Sequence, residues 1–276
     1  MTDRYAVMGN PIAHSKSPRI HALFAQQTNQ EIHYEPLLVS LDSFPAAVAE
    51  FRASGGKGLN VTVPFKQEAW ALEAEHTERA QRAGAVNTLW FRDDGAMLAD
   101  TTDGVGLVRD LTINHRITLT AKRILILGAG GAVRGVLDPI LAEHPATVVI
   151  ANRTASKARE LATLFSDKGA ITGCGFDALN GQQFDLVING TAASLEGQVP
   201  PLPDDLLAHN ASCYDMMYSA TRTAFQLWAT AHGAVQSFDG LGMLVEQAAE
   251  AFMIWRGVRP HTATVIVAVR QEFFGG

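Results

Sequence analysis

The sequence predicts a two-domain α/β protein: an N-terminal α/β domain, a Rossmann-type domain after it, and C-terminal helices packing back on the first. Three observations predict it. Short apolar runs alternate with longer segments at helical spacing. From Lys122 the pattern restarts as a strand, a glycine turn and a helix. The chain then ends in two helix-period segments, Leu241 to Gly257 and Thr262 to Phe274, with no strand between them.

Ala6-Val7-Met8 reads as the first strand. Ser17 as N-cap and Pro18 at the first helical position then start a helix whose Ile20, Leu23 and Phe24 share a face. Pro36 to Val39 and Leu59 to Val63 are the next apolar runs, the second leading into Pro64-Phe65-Lys66. Asp94-Gly95, between NTLWFR and AMLAD, signals a hairpin, so an antiparallel pair closes the first domain's sheet. Ile124 to Leu127, Val148 to Ile150 and Leu186 to Ile188 supply parallel strands of the second domain. The first domain is accordingly residues 1–103 with 240–276, and the dinucleotide domain residues 104–239.

At 276 residues and 47% hydrophobic, the chain has material for two cores. A formal charge of −6 and the lack of any lysine or arginine run exclude the electrostatic footprint of a nucleic-acid binder. The N-terminal MTDRYAVMGNPIAHSKSP mixes acid and base around one short apolar run. It is neither a signal peptide nor a membrane segment, so the expected location is cytoplasmic. Cys174 and Cys213 lie far apart without CxxC spacing and read as reduced, buried thiols. No two histidines stand at i, i+4, so no metal site is expected. Trp228, Phe252 and Trp255 read as core side chains of helices.

In RILILGAGGAVRGVL the turn Gly128-Ala129-Gly130-Gly131-Ala132 joins a strand to a helix. Glycines let the backbone turn tightly and approach a pyrophosphate, which a helix N-terminus favours. Val133 stands where the G-x-G-x-x-G fingerprint has its third glycine, so a plain strand-to-helix turn is the competing reading. The next strand, TVVIAN, ends at Asn152-Arg153-Thr154, where the ribose-recognising residue belongs, and no acid is there. An acid would bind the 2′-hydroxyl of NAD, whereas Arg153 with Thr154 and Lys157 suits the 2′-phosphate of NADP. Solvated charges are the alternative. Cations at a helix start oppose the helix dipole, however, and NADP is expected.

Together with these motifs, the segments GNPIAHSKSPRIH, GLNVTVPFK, GAVNTL, DTTDGVGLVRDL, LGAGGAVRGV, ANRTASKA, CYDMMY and DGLGMLVEQAAEAF occur in one order along the chain. In them the chain resembles the shikimate dehydrogenase family over almost its whole length. The resemblance implies reversible oxidation of shikimate to 3-dehydroshikimate with NADP, a step toward chorismate and the aromatic amino acids. It implies substrate contacts at Ser15, Ser17, Thr62, Lys66, Asn87, Asp103, Tyr218 and Gln247, with Lys66 and Asp103 as the catalytic pair and the two serines and Tyr218 at the carboxylate end. It implies NADP contacts at Gly128, Ala129, Gly130, Gly131, Ala132, Asn152, Arg153, Thr154 and Lys157, with Met216 and Gly240 on the nicotinamide side. Two positions depart from the family's pattern: Thr101 replaces an asparagine, and Gly190 stands where a small side chain is usual. A homodimer is left open.

A site for a carboxylate and several ring hydroxyls needs short donors and acceptors, and such a site rejects analogues that leave its polar groups unpaired. Each candidate also has a plainer explanation. Ser17 and Asp103 suit helix caps, Asn87 a turn, Gln247 an exposed helix face and Tyr218 the core. Lys66 has the most specific role. Hydride transfer to a ketone leaves an alkoxide that must be protonated, which a positioned ammonium can do. Burial favours the neutral amine and Asp103 favours the ammonium, and this opposition leaves the charged form in place at neutral pH. Substrate and nicotinamide are expected to meet in a cleft that closes over the reaction. The competing readings are a quinate/shikimate dehydrogenase using NAD, another NADP dehydrogenase of this two-domain plan such as a folate-linked one, and a non-catalytic NADP-binding regulator.

Overall fold

The computed structural model describes residues 2–275. The chain divides into two compact units. One holds the chain up to Gly106 with Leu244–Glu272, the other Leu107–Met243 with the residues from Phe273 on.

The first unit is built on strands β1 (Asp3–Gly9), β2 (Ile32–Leu38), β3 (Gly56–Val61), β4 (Glu75–His76), β5 (Thr88–Phe91) and β6 (Met97–Asp100), in the order β2-β1-β3-β5-β6-β4. β1 pairs in parallel with β2 and β3, and β4 with β6, while β5 runs antiparallel to both neighbours. The β5–β6 hairpin turns at Asp94-Gly95, where Asp94 Oδ1 accepts the Ala96 amide at 2.9 Å and Gly95 takes a φ of 92°. Interleaved are helices α1 (Ser17–Thr28), α2 (Phe44–Ala53), α3 (Lys66–Trp70), α4 (Glu78–Ala83) and α5 (Asp103–Arg109), the last running on into the second unit. The core on one face gathers Met8, Phe44, Phe51, Leu59, Val61, Phe65 and Leu89.

Two local expectations change. Lys16, not Ser17, is the N-cap of α1, and no side chain caps that helix; Ser17 is its first helical residue. The second strand begins at Ile32, well before Pro36. It is an edge strand whose Ile32, Tyr34, Glu35 and Leu37 are only half-buried, so its apolar run is short and broken.

The second unit is a parallel sheet of β7 (Arg123–Leu127), β8 (Thr147–Ala151), β9 (Ile171–Cys174), β10 (Phe184–Asn189), β11 (Leu207–Asp215) and β12 (Gln236–Phe238), ordered β12-β11-β10-β7-β8-β9. This is the doubly wound order, with its reversal point between β7 and β10. Helices α6 (Gly131–Ala142), α7 (Ala155–Leu164) and α8 (Ala224–Ala231) cross over between strands. Because both faces are covered, Ile124 to Leu127 and Leu186 to Ile188 are buried along their whole length, which is why the strands read as unbroken apolar runs. Cys174 and Cys213 are free thiols; Cys213 is buried and Cys174 half-buried.

Helices α9 (Leu241–Arg256) and α10 (Thr262–Phe274) bring the chain back to the first unit. Arg256 pairs with Asp3 and reaches Gln30 at 2.8 Å, Arg19 meets Glu272 at 2.7 Å, and Trp255 stacks on Tyr5 with centroids 4.7 Å apart.

Candidate active site

The first unit gathers its polar side chains at the end of β3. Thr62 N bonds Met8 O at 2.9 Å, and Phe65 N returns to Thr62 O at 3.0 Å, so the chain turns at once after the strand. Phe65 is fully buried and stacks on Phe44 at 4.8 Å. That anchor fixes where Lys66, the first residue of α3, can point. Asp103 opens α5 just after β6, and Asn87 precedes β5, with Val61 N bonded to Asn87 O at 2.8 Å.

Lys66 Nζ stands 2.5 Å from Asp103 Oδ2, with side chains 16% and 7% exposed. Asn87 Nδ2 donates to Asp103 Oδ1 at 2.9 Å, and Gln247 Oε1 faces Asn87 Nδ2 at 3.3 Å. Lys66, Asn87, Asp103 and Gln247 therefore form one cluster. Neither the cap role of Asp103 nor the exposed role of Gln247 describes it, since both side chains turn inward. Ser15 and Ser17 form a separate pair, Ser15 Oγ accepting the Ser17 amide at 3.3 Å. Thr62 is half-buried on the turn before Lys66. Thr101, the first departure from the pattern, is buried and gives its amide to Asp100 Oδ1 at 2.7 Å.

Sequence reasoning passed over the layer behind this cluster. Asn60, Thr88 and Thr102 are buried beside Asn87, and the Tyr34 hydroxyl donates to Asn60 Oδ1 at 2.8 Å. His21 stacks on Tyr34 with centroids 4.1 Å apart; Asn60 is near, but neither ring nitrogen has a partner in hydrogen-bond geometry. Burial lowers the His21 imidazole to about 3 and pushes the Tyr34 phenol well above its usual range, a rise partly offset by a hydrogen bond with Ser17. The signal available was Asn60 between the apolar Leu59 and Val61 of β3, and Thr88 ahead of Leu89-Trp90-Phe91 in β5.

In the second unit the glycine turn follows β7. Gly128 has a φ of 104°, open to glycine, and its amide bonds Ala151 O at 2.8 Å. Gly130 caps α6, whose first backbone bond is Arg134 N to Gly130 O at 3.0 Å, so the amides at the start of the helix have no helical acceptor. The two anomalies of the sequence explain each other. Val133 is fully buried, and a Cβ on Gly190 would lie 2.4 Å from Val133 Cγ2, 3.1 Å from Leu127 O and 3.2 Å from Met216 Sδ. The space that a third glycine would leave on the helix is thus supplied from the β10 side. Gly190→Ala should cost about 1–3 kcal/mol of stability. Urea unfolding of Gly190→Ala, Val133→Ala and the double variant should show coupling between the two positions, and strict additivity would refute the contact.

Asn152 bonds Cys174 O through its amide at 3.1 Å and Thr154 O through its side chain at 3.0 Å. Arg153, Thr154 and Lys157 are exposed, and among the described residues neither cation has an ion-pair partner. Met216 N bonds Asn189 O at 2.9 Å, and a Cβ on Gly240 would come within 2.2 Å of Met216 O, so only glycine fits there. Asp215 accepts from Asn189, Thr223 and Met217 at 3.0, 2.6 and 3.1 Å, holding this loop while burial pushes its carboxyl up. Tyr218 belongs to this unit, not to the Lys66 cluster's; it meets Phe274 edge-on at 6.1 Å, and burial with Asp239 raises its phenol.

Three family models match the chain. They are a shikimate dehydrogenase substrate binding domain over residues 7–89, shikimate / quinate 5-dehydrogenase over 111–196, and a shikimate 5'-dehydrogenase C-terminal domain over 240–270. A shikimate dehydrogenase (NADP(+)) from Alkalilimnicola ehrlichii is 61% identical over 99% of this chain and 100% of its own. One of the same name from Cellvibrio japonicus is 57% identical over 99% and 98%. The solved structure of a shikimate 5-dehydrogenase from Thermus thermophilus, in complex with NADP(H) and shikimate, superimposes with a TM-score of 0.85 at 33% identity, covering 98% of this chain and 99% of that one.

Proposed function

Since the chain belongs to the shikimate dehydrogenase family, we propose that it catalyses the NADP-dependent, reversible reduction of 3-dehydroshikimate to shikimate in aromatic amino acid biosynthesis. The observation that carries the reading is the 2.5 Å contact of Lys66 Nζ with Asp103 Oδ2, braced by Asn87. When bound, NADPH would supply the hydride that reduces the ring carbonyl. Lys66, as the ammonium, donates its proton to the oxygen that becomes the hydroxyl, and in the oxidative direction it takes that proton back. Asp103 holds the lysine in place, while Asn87 occupies the second oxygen of Asp103 and so fixes the carboxylate plane. Ser15, Ser17, Thr62 and Gln247 hold the substrate's carboxylate and hydroxyls.

The first unit carries the substrate and the second the cofactor. Gly128 to Ala132 take the pyrophosphate at the start of α6, and Arg153, Thr154 and Lys157 take the 2′-phosphate. Asn152 shapes that turn, and Met216 and Gly240 border the nicotinamide. No helix among the described residues is long and apolar enough to cross a membrane.

Initial rates with shikimate and either NADP or NAD, on the wild type and Arg153→Ala, test the cofactor assignment. Charge-assisted hydrogen bonds are worth about 1.5–3 kcal/mol, so Arg153→Ala should raise KM for NADP about 10- to 100-fold and leave NAD kinetics nearly unchanged. Equal use of both cofactors by the wild type would overturn it.

A further inference from the structure

We propose that Thr88, which hydrogen-bonds neither Lys66 nor Asp103, is a positioning residue: its hydroxyl holds and polarises Asn87, the last donor of a one-way hydrogen-bond chain that ends on the Asp103 carboxylate. This rests on the roles given above to Lys66 and Asp103.

Two backbone groups fix the direction of the chain. The Thr102 amide donates to Asn87 Oδ1 at 2.9 Å, so the Asn87 amide cannot turn over without setting N–H against N–H. Its NH2 group is thereby held toward Asp103 Oδ1, at 2.9 Å. The Asn87 carbonyl accepts from Asn60 Nδ2 at 3.2 Å, which turns Asn60 Oδ1 toward Tyr34, whose hydroxyl donates to it at 2.8 Å.

Thr88 stands between the two amides. Its Oγ1 accepts from Asn60 Nδ2 at 3.2 Å, and its own proton goes to Asn87 Oδ1 at 2.9 Å. The donors run Tyr34, Asn60, Thr88, Asn87, every bond pointing toward the Asp103 carboxylate that accepts the last, with Lys66 closing it from the other side. β3 and β5 set this up by register, since Asn60 is the cross-strand partner of Thr88.

Asn60, Asn87, Thr88 and Asp103 are all buried, and the His21 ring covers Tyr34. In such surroundings aligned hydrogen bonds polarise one another, so the first members strengthen the last. Thr102 cannot take this role. Its amide fixes Asn87 whatever its side chain, and its hydroxyl lies near both Asn87 Nδ2, at 3.0 Å, and Oδ1, at 3.2 Å, without reaching Asn60.

Thr88→Val keeps the shape of the side chain and removes the hydroxyl. It should lower kcat for shikimate oxidation about tenfold with KM for shikimate changed less than about twofold, and Thr88→Ser should restore kcat. Added to Asn87→Ala, Thr88→Val should cost nothing more. Unchanged kcat in Thr88→Val, an equal loss in Thr88→Ser, or an additive loss on the Asn87→Ala background would overturn the proposal. If circular dichroism shows Thr88→Val unfolded, Tyr34→Phe, which removes the first donor, takes its place. A fall in kcat of about two- to fivefold is expected, and wild-type kcat overturns the proposal. An inactive wild type would instead reject the dehydrogenase reading itself.

Discussion

Lys66→Ala should lower kcat by about 10² to 10⁴ while KM for shikimate changes little, because a positioned general acid contributes that much to a proton transfer and little to binding. In the folded chain the lysine's ammonium lies 2.5 Å from a carboxylate only 7% exposed. Removing it would take away the proposed proton donor and leave Asp103 with Asn87 as its remaining partner in the cluster. Lys66→Arg separates the two consequences. A guanidinium restores the charge beside Asp103 but stays protonated at any working pH, so it cannot exchange a proton with the substrate. The arginine variant should therefore remain as slow as the alanine one. Recovery by arginine would mean that charge alone, not proton transfer, is what the position supplies.

His21 should make the fold markedly less stable in acid. Its imidazole titrates near 6.5 when unfolded and near 3 when folded, where it is buried against Tyr34, Phe24, Phe252 and Trp255 without a ring-nitrogen partner. A depressed folded value means that the unfolded chain binds the extra proton first. The stability is thus full above pH 6.5 and is lost as pH falls toward about 3. Each unit of pH in that window removes about 1.4 kcal/mol, so going from pH 6.5 to 5 should cost about 2 kcal/mol from this residue, and the whole window about 5 kcal/mol. Urea unfolding across this range should show the slope in the wild type and a shallower one in His21→Phe, which keeps the aromatic stack. Identical slopes would show that His21 is not the group responsible.

The strands legible in the sequence are those with both faces covered. β1, β7 and β10 are central, and their runs Tyr5 to Met8, Ile124 to Leu127 and Leu186 to Ile188 are buried without a break. The start of β2 is hidden in the sequence because an edge strand needs only one apolar face, which makes Pro36 look like a beginning rather than a middle. Ser17 is not the cap its proline suggests because the chain already takes helical angles at Lys16, one residue earlier. Lys66, Asn87 and Asp103 stood out because motif and chemistry coincide on them. The Tyr34–Asn60–Thr88 layer did not, since its meaning comes from which strands lie side by side and in what register. The close approach of Val133 and Gly190 is likewise a tertiary fact: neither residue says from the sequence that it makes room for the other.

The most direct test of the central claim is whether the purified chain, given shikimate and NADP alone, accumulates NADPH as read by its near-ultraviolet absorbance, and consumes it again when 3-dehydroshikimate is supplied. Turnover in both directions is the predicted result. A folded protein that transfers no hydride between these partners would contradict the account.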